Sequence, residues 1–300
     1  MAKLAIIGHI SIDTIIKGRK KVSSLGGSPS YAGLSAKAYD IDVYTITKYG
    51  KDLPEEMLAI LNDLKIVNGL SKKKRTTKFK IILKEDRREL FLLDRCEKIK
   101  GNEIKGCYDG ILISPIADEL DCSVLQNLNK LNLPLFLDPQ GLLRRFGKNR
   151  KVMPYLSKDF IEYAKLANFI KIGREELEAI SMEPRELLKR ISSDEGNIEK
   201  GIIYTKQARR VAVILNDKEI VVKLPKIDVV DTTGAGDILM GTFATQYLKT
   251  KDITDSILLS LATTICSLDR FGIEKVLKIK ERERKIHKIL NKIKVERHNL

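Results

Sequence analysis

Apolar residues along this 300-residue chain come in short runs, and the runs alternate between two periods. "KLAIIGHI" opens the chain as an Ile-rich run, the pattern of a strand buried on both faces. "SIDTIIKGRKKVSSLG" holds a Gly-centred turn and predicts a hairpin. In "SPSYAGLSAKAYD" small and apolar residues recur at helical spacing, with Ser28 as cap and Pro29 as first helical position. "IDVYTITKYG" predicts the next strand and "LPEEMLAILNDLK" a helix starting at Pro54. "TTKFKIILKEDRRELFLLDRC" then predicts two strands around a polar turn. Beyond it, "YDGILIS", "PLFLDPQG", "NFIKIG" and "KGIIYTK" read as strands, alternating with helices in "SVLQNLNKL", "DFIEYAKLA", "REELEAIS" and "EPRELLKRISS". "RRVAVILNDKEIVVKLP" adds two strands, and from Ile238 to the end the pattern predicts almost only helix.

Strand–helix alternation over most of the length argues for an α/β fold with a mostly parallel sheet covered on both faces. The two early hairpins do not fit inside such a sheet. They predict a small β lid, from segments at about 13–25 and 76–96, on a single domain spanning 1–300.

Composition narrows the picture. Charged residues make up 32% of the chain and Trp is absent, a bias of proteins that work at high temperature. Cys96, Cys107, Cys122 and Cys266 form no closely spaced pair, and His9, His287 and His298 do not join them, which argues against a zinc site or a disulfide framework. The first apolar run is too short for a membrane span and lacks a signal-peptide pattern, so a cytoplasmic protein is expected.

The formal net charge of +15 raises nucleic acid as a partner. Basic residues concentrate in "SKKKR" (71–75) and between Lys278 and Arg297, where nine Lys or Arg face three Glu. No aromatics interleave with them, so stacking platforms for bases are missing. Ile279, Ile286, Ile289, Leu290 and Ile293 recur on one face, which predicts a final helix docked on the body. A nucleic-acid-binding protein using that basic helix is the alternative of another class.

The densest chemistry lies in "VVDTTGAGDILMGTF" (229–243). Gly234, Ala235 and Gly236 are expected at a helix N-terminus, where free backbone N–H groups and the helix dipole make an anion site. A second carboxylate, Asp237, would repel an anion that is merely bound. It fits one that is transferred: Asp237 takes the proton of an attacking hydroxyl while the amides hold charge on the phosphoryl group. No G-x-G-x-x-G follows the first strand and no G-x-x-x-x-G-K-[ST] occurs, which sets aside dinucleotide-binding oxidoreductases and P-loop kinases.

"DTTGAGD" resembles the C-terminal signature of the PfkB family of carbohydrate kinases, and the likeness extends over the chain. "GHISID" resembles the family's first strand and "LGGSPSYAGLSAKA" its di-glycine motif. The resemblance implies a ribokinase-like three-layer sandwich with a lid. It implies transfer of the γ-phosphoryl group of ATP, with Mg2+, to a hydroxyl of a sugar or polyol, or of a nucleoside as alternative. By position Asp237 is the base and Gly234, Ala235 and Gly236 form the anion hole. Asp13, Gly26, Gly27 and Tyr31 meet the acceptor, and Thr205, Thr232, Thr233 and Gly236 meet the nucleotide. Glu176 keeps its place in the family's N-x-x-E motif, which organises water around magnesium, but Gly173 replaces the Asn. "TKQARR" (205–210) keeps Thr205 and lacks the glycines usual there; Arg209 and Arg210 offer charge instead, or are simply exposed. Tyr31 stands where an Asn is common. Within the family, "LGGSPSYAGL", "LKEDRRELFLLDR" and "DPQGLLR" look most like archaeal kinases of inositol, and the last places Asp138, Gln140 and Arg144 beyond a strand's C-terminal end, where open α/β sheets hold ligands. Lids of the family often pair across dimers, so a homodimer through the lid is a further expectation.

Overall fold

Ten strands run side by side through the centre of the molecule. In the computed structural model, which describes residues 1–84, 88–192, 199–207 and 209–299, their order from one edge is Lys294–Asn299, Lys218–Lys223, Arg210–Leu215, Gly201–Gln207, Phe169–Gly173, Leu135–Leu137, Gly110–Ile113, Lys3–Ile7, Asp42–Ile46 and Lys65–Val67. The seven strands from Gly201–Gln207 onward pair in parallel. The first three join them through antiparallel pairs.

Both faces of the sheet are covered, which is why its strands read as unbroken apolar runs. Leu4, Ile6, Phe136 and Phe169 point into one layer, with residues of the helices Ser28–Lys37, Ala235–Thr250, Ile253–Ser267 and Glu283–Leu290. Their neighbours Ala5, Ile7, Leu137 and Ile170 point into the other, against Cys122–Leu128, Phe160–Leu166, Arg174–Ile180 and Pro184–Ile191. The result is a three-layer α/β sandwich. In the first layer Phe169 packs edge-on against Phe243 and Tyr247, with ring centroids 5.1 and 4.8 Å away. That cluster fixes the helix Ala235–Thr250 over the middle of the sheet.

The two early hairpins form one separate sheet. Ser11–Lys17 pairs antiparallel with Lys20–Gly26 and Thr77–Leu83 with Arg88–Asp94, and the hairpins join in parallel, Ser11 opposite Thr77. Of the polar turn "KEDRR" (84–88) predicted between the latter two strands, residues 85–87 lie outside the described residues. Ile15, Phe79, Ile81 and Leu92 bury the inner face of this sheet against Ile116 and Ala117. His9 anchors its base, with Nδ1 2.8 Å from Thr77 Oγ1 and Nε2 2.8 Å from the Glu97 carbonyl.

Three expectations need correction. The C-terminal tail is not all helix: after Glu283–Leu290 the chain turns into the edge strand Lys294–Asn299, whose Val295 pairs with Val222 and packs on the core. Its alternating Lys-Val-Glu-Arg-His pattern suits an edge with one face in water. Ile279, Ile286 and Ile289 are nonetheless buried in the core, as docking requires. The helix at Pro54 is only Glu55–Ala59. Gly27, not Ser28, is the cap of the helix Ser28–Lys37, with Pro29 inside its first turn. Residues 224–234 lie between the strand Lys218–Lys223 and the helix that begins at Ala235.

One buried acid holds the turn beneath the small sheet. Glu119 is fully buried, and its carboxylate accepts from the N–H groups of His9, Ile116 and Ala117 at 2.6–3.0 Å. Glu119→Ala strands these donors, each costing about 1–3 kcal/mol. The expected loss is about 3 kcal/mol or more in urea unfolding; a change under about 1 kcal/mol contradicts this role.

Candidate active site

Residues Asp231 to Asp237 build a turn that no ordinary helix start requires. Gly234 takes φ 74° and ψ 3°, the left-handed conformation that a side chain disfavours. A Cβ there would also lie 2.6 Å from the ring of Tyr31. Asp231 pins the turn by accepting from Thr233 N at 2.8 Å and Gly272 N at 3.0 Å. The helix then begins at Ala235. The Ala235 N–H is used within the turn, donating to the Thr232 carbonyl at 3.1 Å. Among the described residues the N–H groups of Gly234, Gly236 and Asp237 have no acceptor, so the expected trio of amides is reduced at Ala235.

Asp237, in the first helical turn, is almost fully buried. Gln140 Nε2 donates to it at 3.3 Å and to Asp138 at 3.1 Å, and Gln140 Oε1 accepts from Arg144 at 3.0 Å. The two Asp residues come from different strand–helix junctions, yet one amide holds both. Burial pushes the Asp237 carboxyl up to about 6, and the Asp138 charge adds to the rise; Ser28, Lys171 and Arg144 oppose it. Asp13 is pushed up to about 7, chiefly by burial, against its hydrogen bond from Ser11 Oγ at 2.7 Å. A Cβ on Gly26 would come 2.1 Å from the Asp13 carboxylate, so this glycine makes room for the acid and does not itself line the cavity.

Two cavities meet at this junction. A small one of about 60 Å³ is walled by Ser11, Asp13, Gly27, Tyr31, Gln140, Arg144, Thr233, Gly234 and Asp237, and on the side of the small sheet by Phe79, Ile81, Arg88 and Leu90. Thr233, expected on the nucleotide side, lies here instead. A groove of about 670 Å³ on the other side is lined by Glu176, Thr205, Thr232, Ala235 and Gly236 and by the apolar Val211, Leu224, Ile227, Leu261 and Ile265. Arg209 and Arg210 are exposed and do not line it. Residue 208 of the "TKQARR" turn lies outside the described residues.

Two residues at this meeting point escaped the sequence reading. Lys171, on the strand Phe169–Gly173, is buried with Nζ 3.5 Å from both Asp138 Oδ1 and Glu176 Oε1. Its signal was the one charge in "NFIKIG", a strand otherwise apolar throughout. Burial alone would lower the Lys171 pKa, but Asp138, Glu176 and Asp237 raise it. Burial would likewise raise Glu176, but Lys171, Arg144 and Arg88 bring it down to about 2. Arg88 reaches from the small sheet to line both cavities and pairs with Glu175 at 3.2 Å. Nothing in "KEDRRELF" singled it out among its charged neighbours.

Solved structures place this architecture in the ribokinase-like fold. A pyrophosphate-dependent kinase in the ribokinase family, solved with a pyrophosphate analogue and myo-inositol, superposes with a TM-score of 0.76 at 20% identity, over 91% of this chain and 98% of that one. The nucleoside kinase of Methanocaldococcus jannaschii, described as an archaeal member of the ribokinase family, gives 0.68 at 19% identity, over 94% and 99%. A cytidine kinase of Thermococcus kodakarensis is 24% identical over 287 residues, 91% of this chain and 98% of that protein. The model of the pfkB family carbohydrate kinases matches residues 142–278, a stretch that contains the whole Asp231–Asp237 turn. The family resemblance is thereby borne out, and with it the class of enzyme, a phosphotransferase with an alcohol as acceptor. Among the described residues no helix is long and apolar enough to cross a membrane.

The carboxyl titrations follow from this geometry and are measurable without any substrate. In 13C NMR of the side-chain carboxyls, Asp237 and Asp13 are expected to titrate near 6 and 7, well above the ordinary Asp range. Lys171→Met removes a charge that favours the Asp237 carboxylate, so its midpoint should move further up. Midpoints near 4 in both proteins would contradict the arrangement.

Proposed function

We propose that the protein transfers the terminal phosphoryl group of ATP to a hydroxyl of a sugar or polyol, myo-inositol being one that fits. One observation supports this above the rest: Asp237, with a carboxyl poised near neutrality, stands beside the free N–H of Gly236 where a small polar cavity meets a long apolar groove. The acceptor occupies the cavity. Asp13 and Gln140 orient its hydroxyls, and Asp237 takes the proton of the attacking one. The departing phosphoryl crosses in front of Gly236 N–H, with the Lys171 ammonium behind it and Arg88 above.

The apolar walls of the groove suit a nucleobase, which favours a nucleoside triphosphate over pyrophosphate as donor. Among the described residues no three acidic, His or Cys side chains gather into a metal cage. Magnesium ordinarily binds through phosphates and keeps several waters, so the donor would bring it, with Glu176 meeting it through water. Bound there, the ion would neutralise charge on the phosphates. Gly173 supplies no side chain to help.

A cavity of about 60 Å³ holds little more than water, so the four-stranded sheet acts as a lid that moves outward to admit the acceptor. Its inner wall of Phe79, Ile81 and Leu90 is apolar, and this favours a second reading with a nucleoside as acceptor. The similarity to a cytidine kinase agrees with that reading, and the similarity to a kinase solved with myo-inositol agrees with the first.

Assaying inositols, pentoses, hexoses and nucleosides against ATP, GTP and pyrophosphate separates these readings. ATP-dependent turnover of a polyol or sugar is expected; turnover with pyrophosphate alone, or only of nucleosides, would refute the corresponding half. Asp237→Asn should keep nucleotide binding and lose about 10³-fold in kcat. For the parent enzyme kcat/KM should rise with pH through about 6, as the base loses its proton, and then level. A variant at the parent rate would refute the assignment of the base.

A further inference from the structure

Lys275 is a fully buried charge that the proposed chemistry does not use. It has no exposure to water, and it lies in the short helix Glu274–Leu277, far from the cavity in sequence. All three of its ammonium donors are engaged: the Asp231 carbonyl at 2.9 Å, Asp231 Oδ2 at 3.0 Å and the Thr233 carbonyl at 2.8 Å. The same Asp231 carboxylate also accepts from Thr233 N and Gly272 N. The ring of Tyr31, which packs under Gly234, lies 5.9 Å from the ammonium.

A lone lysine core residue is costly, and a methionine would fill the same space more cheaply. A methionine would also leave the Asp231 and Thr233 carbonyls of the turn without a donor, and Asp231 Oδ2 with the Gly272 N–H alone. The two carbonyls flank Thr232, immediately before Gly234. Whatever fixes them fixes the direction of the Gly236 and Asp237 N–H groups that follow. Three oxygens at 2.8–3.0 Å around one positive charge is also the arrangement in which a potassium or ammonium ion would be held; here the cation is tethered to the chain.

We infer that Lys275 is a built-in counter-cation for the anion cradle, a positioning residue that holds the Asp231–Thr233 carbonyls in place so that phosphoryl transfer needs no dissolved monovalent cation. The inference rests on the phosphoryl-transfer reading above for its kinetic consequence, but the cation cage itself does not. Burial pulls the ammonium's pKa down and Asp231 opposes this. Burial would raise the Asp231 carboxyl, yet Lys275 and the backbone N–H groups bring it below the usual range, as a permanent ion pair requires.

The test compares the parent protein with Lys275→Ala, which empties the cage, and Lys275→Met, which fills it without charge. In buffers whose only cation is a bulky amine, the parent's turnover and thermal midpoint should not change when potassium, sodium or ammonium is added. Lys275→Ala should lose about 100-fold in kcat, with little change in acceptor KM, since the loss is of an aligned cradle. Added potassium, ammonium or methylammonium should restore at least a tenth of the parent kcat and raise the variant's melting midpoint. Lys275→Met should lose the same activity and respond to none of them. A parent stimulated severalfold by potassium overturns the inference, as does a Lys275→Ala protein of parent activity. So does one whose activity and melting ignore every small cation, because that marks a purely structural lysine. The melting response reads the cage even if no turnover is found, and a lack of turnover in the parent would refute the functional reading alone. Should Lys275→Ala fail to fold, the cation response of the parent and of Lys275→Met still decides.

Discussion

Charge removed from water has to be matched within the protein, and here the matching falls to two lysines on either side of one turn. Lys171 stands between Asp138 and Glu176 on the sheet side, and Lys275 holds Asp231 from the helical layer. Between them the chain runs through Gly234 to Asp237, with amides left open and a carboxyl that is neither fully charged nor fully neutral near pH 6. Remove either ammonium, and the acids around it must protonate or move. The geometry of the junction is therefore a consequence of charge balance as much as of backbone conformation.

The surrounding fold supplies the rigidity that this balance needs. The Phe169, Phe243 and Tyr247 cluster sets the helix Ala235–Thr250 over the sheet, and Asp138 and Lys171 project from neighbouring strands beneath its first turn. The acceptor side is built otherwise. Much of its outer wall belongs to a separate four-stranded sheet, held to the body by apolar residues, the His9–Thr77 contact and polar links such as Lys17 Nζ to the Val230 carbonyl and Arg88 to Glu175. The packed layer around Gly236 and the separate sheet over the small cavity are the parts that the proposed lid motion would use to exclude water once an acceptor is in place.

Much of this was legible in the chain because local periodicity and buried patterning coincide. The strands and helices of the parallel half announced themselves as alternating runs, and "DTTGAGD" announced the junction. The edge strand Lys294–Asn299 did not, because an edge needs few apolar residues and its charges mimic a helical surface. Lys171 left a visible signal, a lone charge in an apolar strand, whereas Lys275 left none among the lysines around it. The family resemblance implied that Thr232 and Thr233 both meet the nucleotide, but Thr233 lines the small cavity and Thr232 the groove. Adjacent positions in a sequence do not show which side of the backbone each side chain takes.

The most direct test of the account is a crystal structure with ADP, aluminium fluoride and an accepted alcohol. The account places the fluoride complex within hydrogen-bond distance of the Gly236 N–H and beside Lys171, with the acceptor oxygen in reach of an Asp237 carboxylate oxygen on the opposite face. A fluoride complex bound away from Gly236, or an acceptor oxygen with no contact to Asp237, would contradict it.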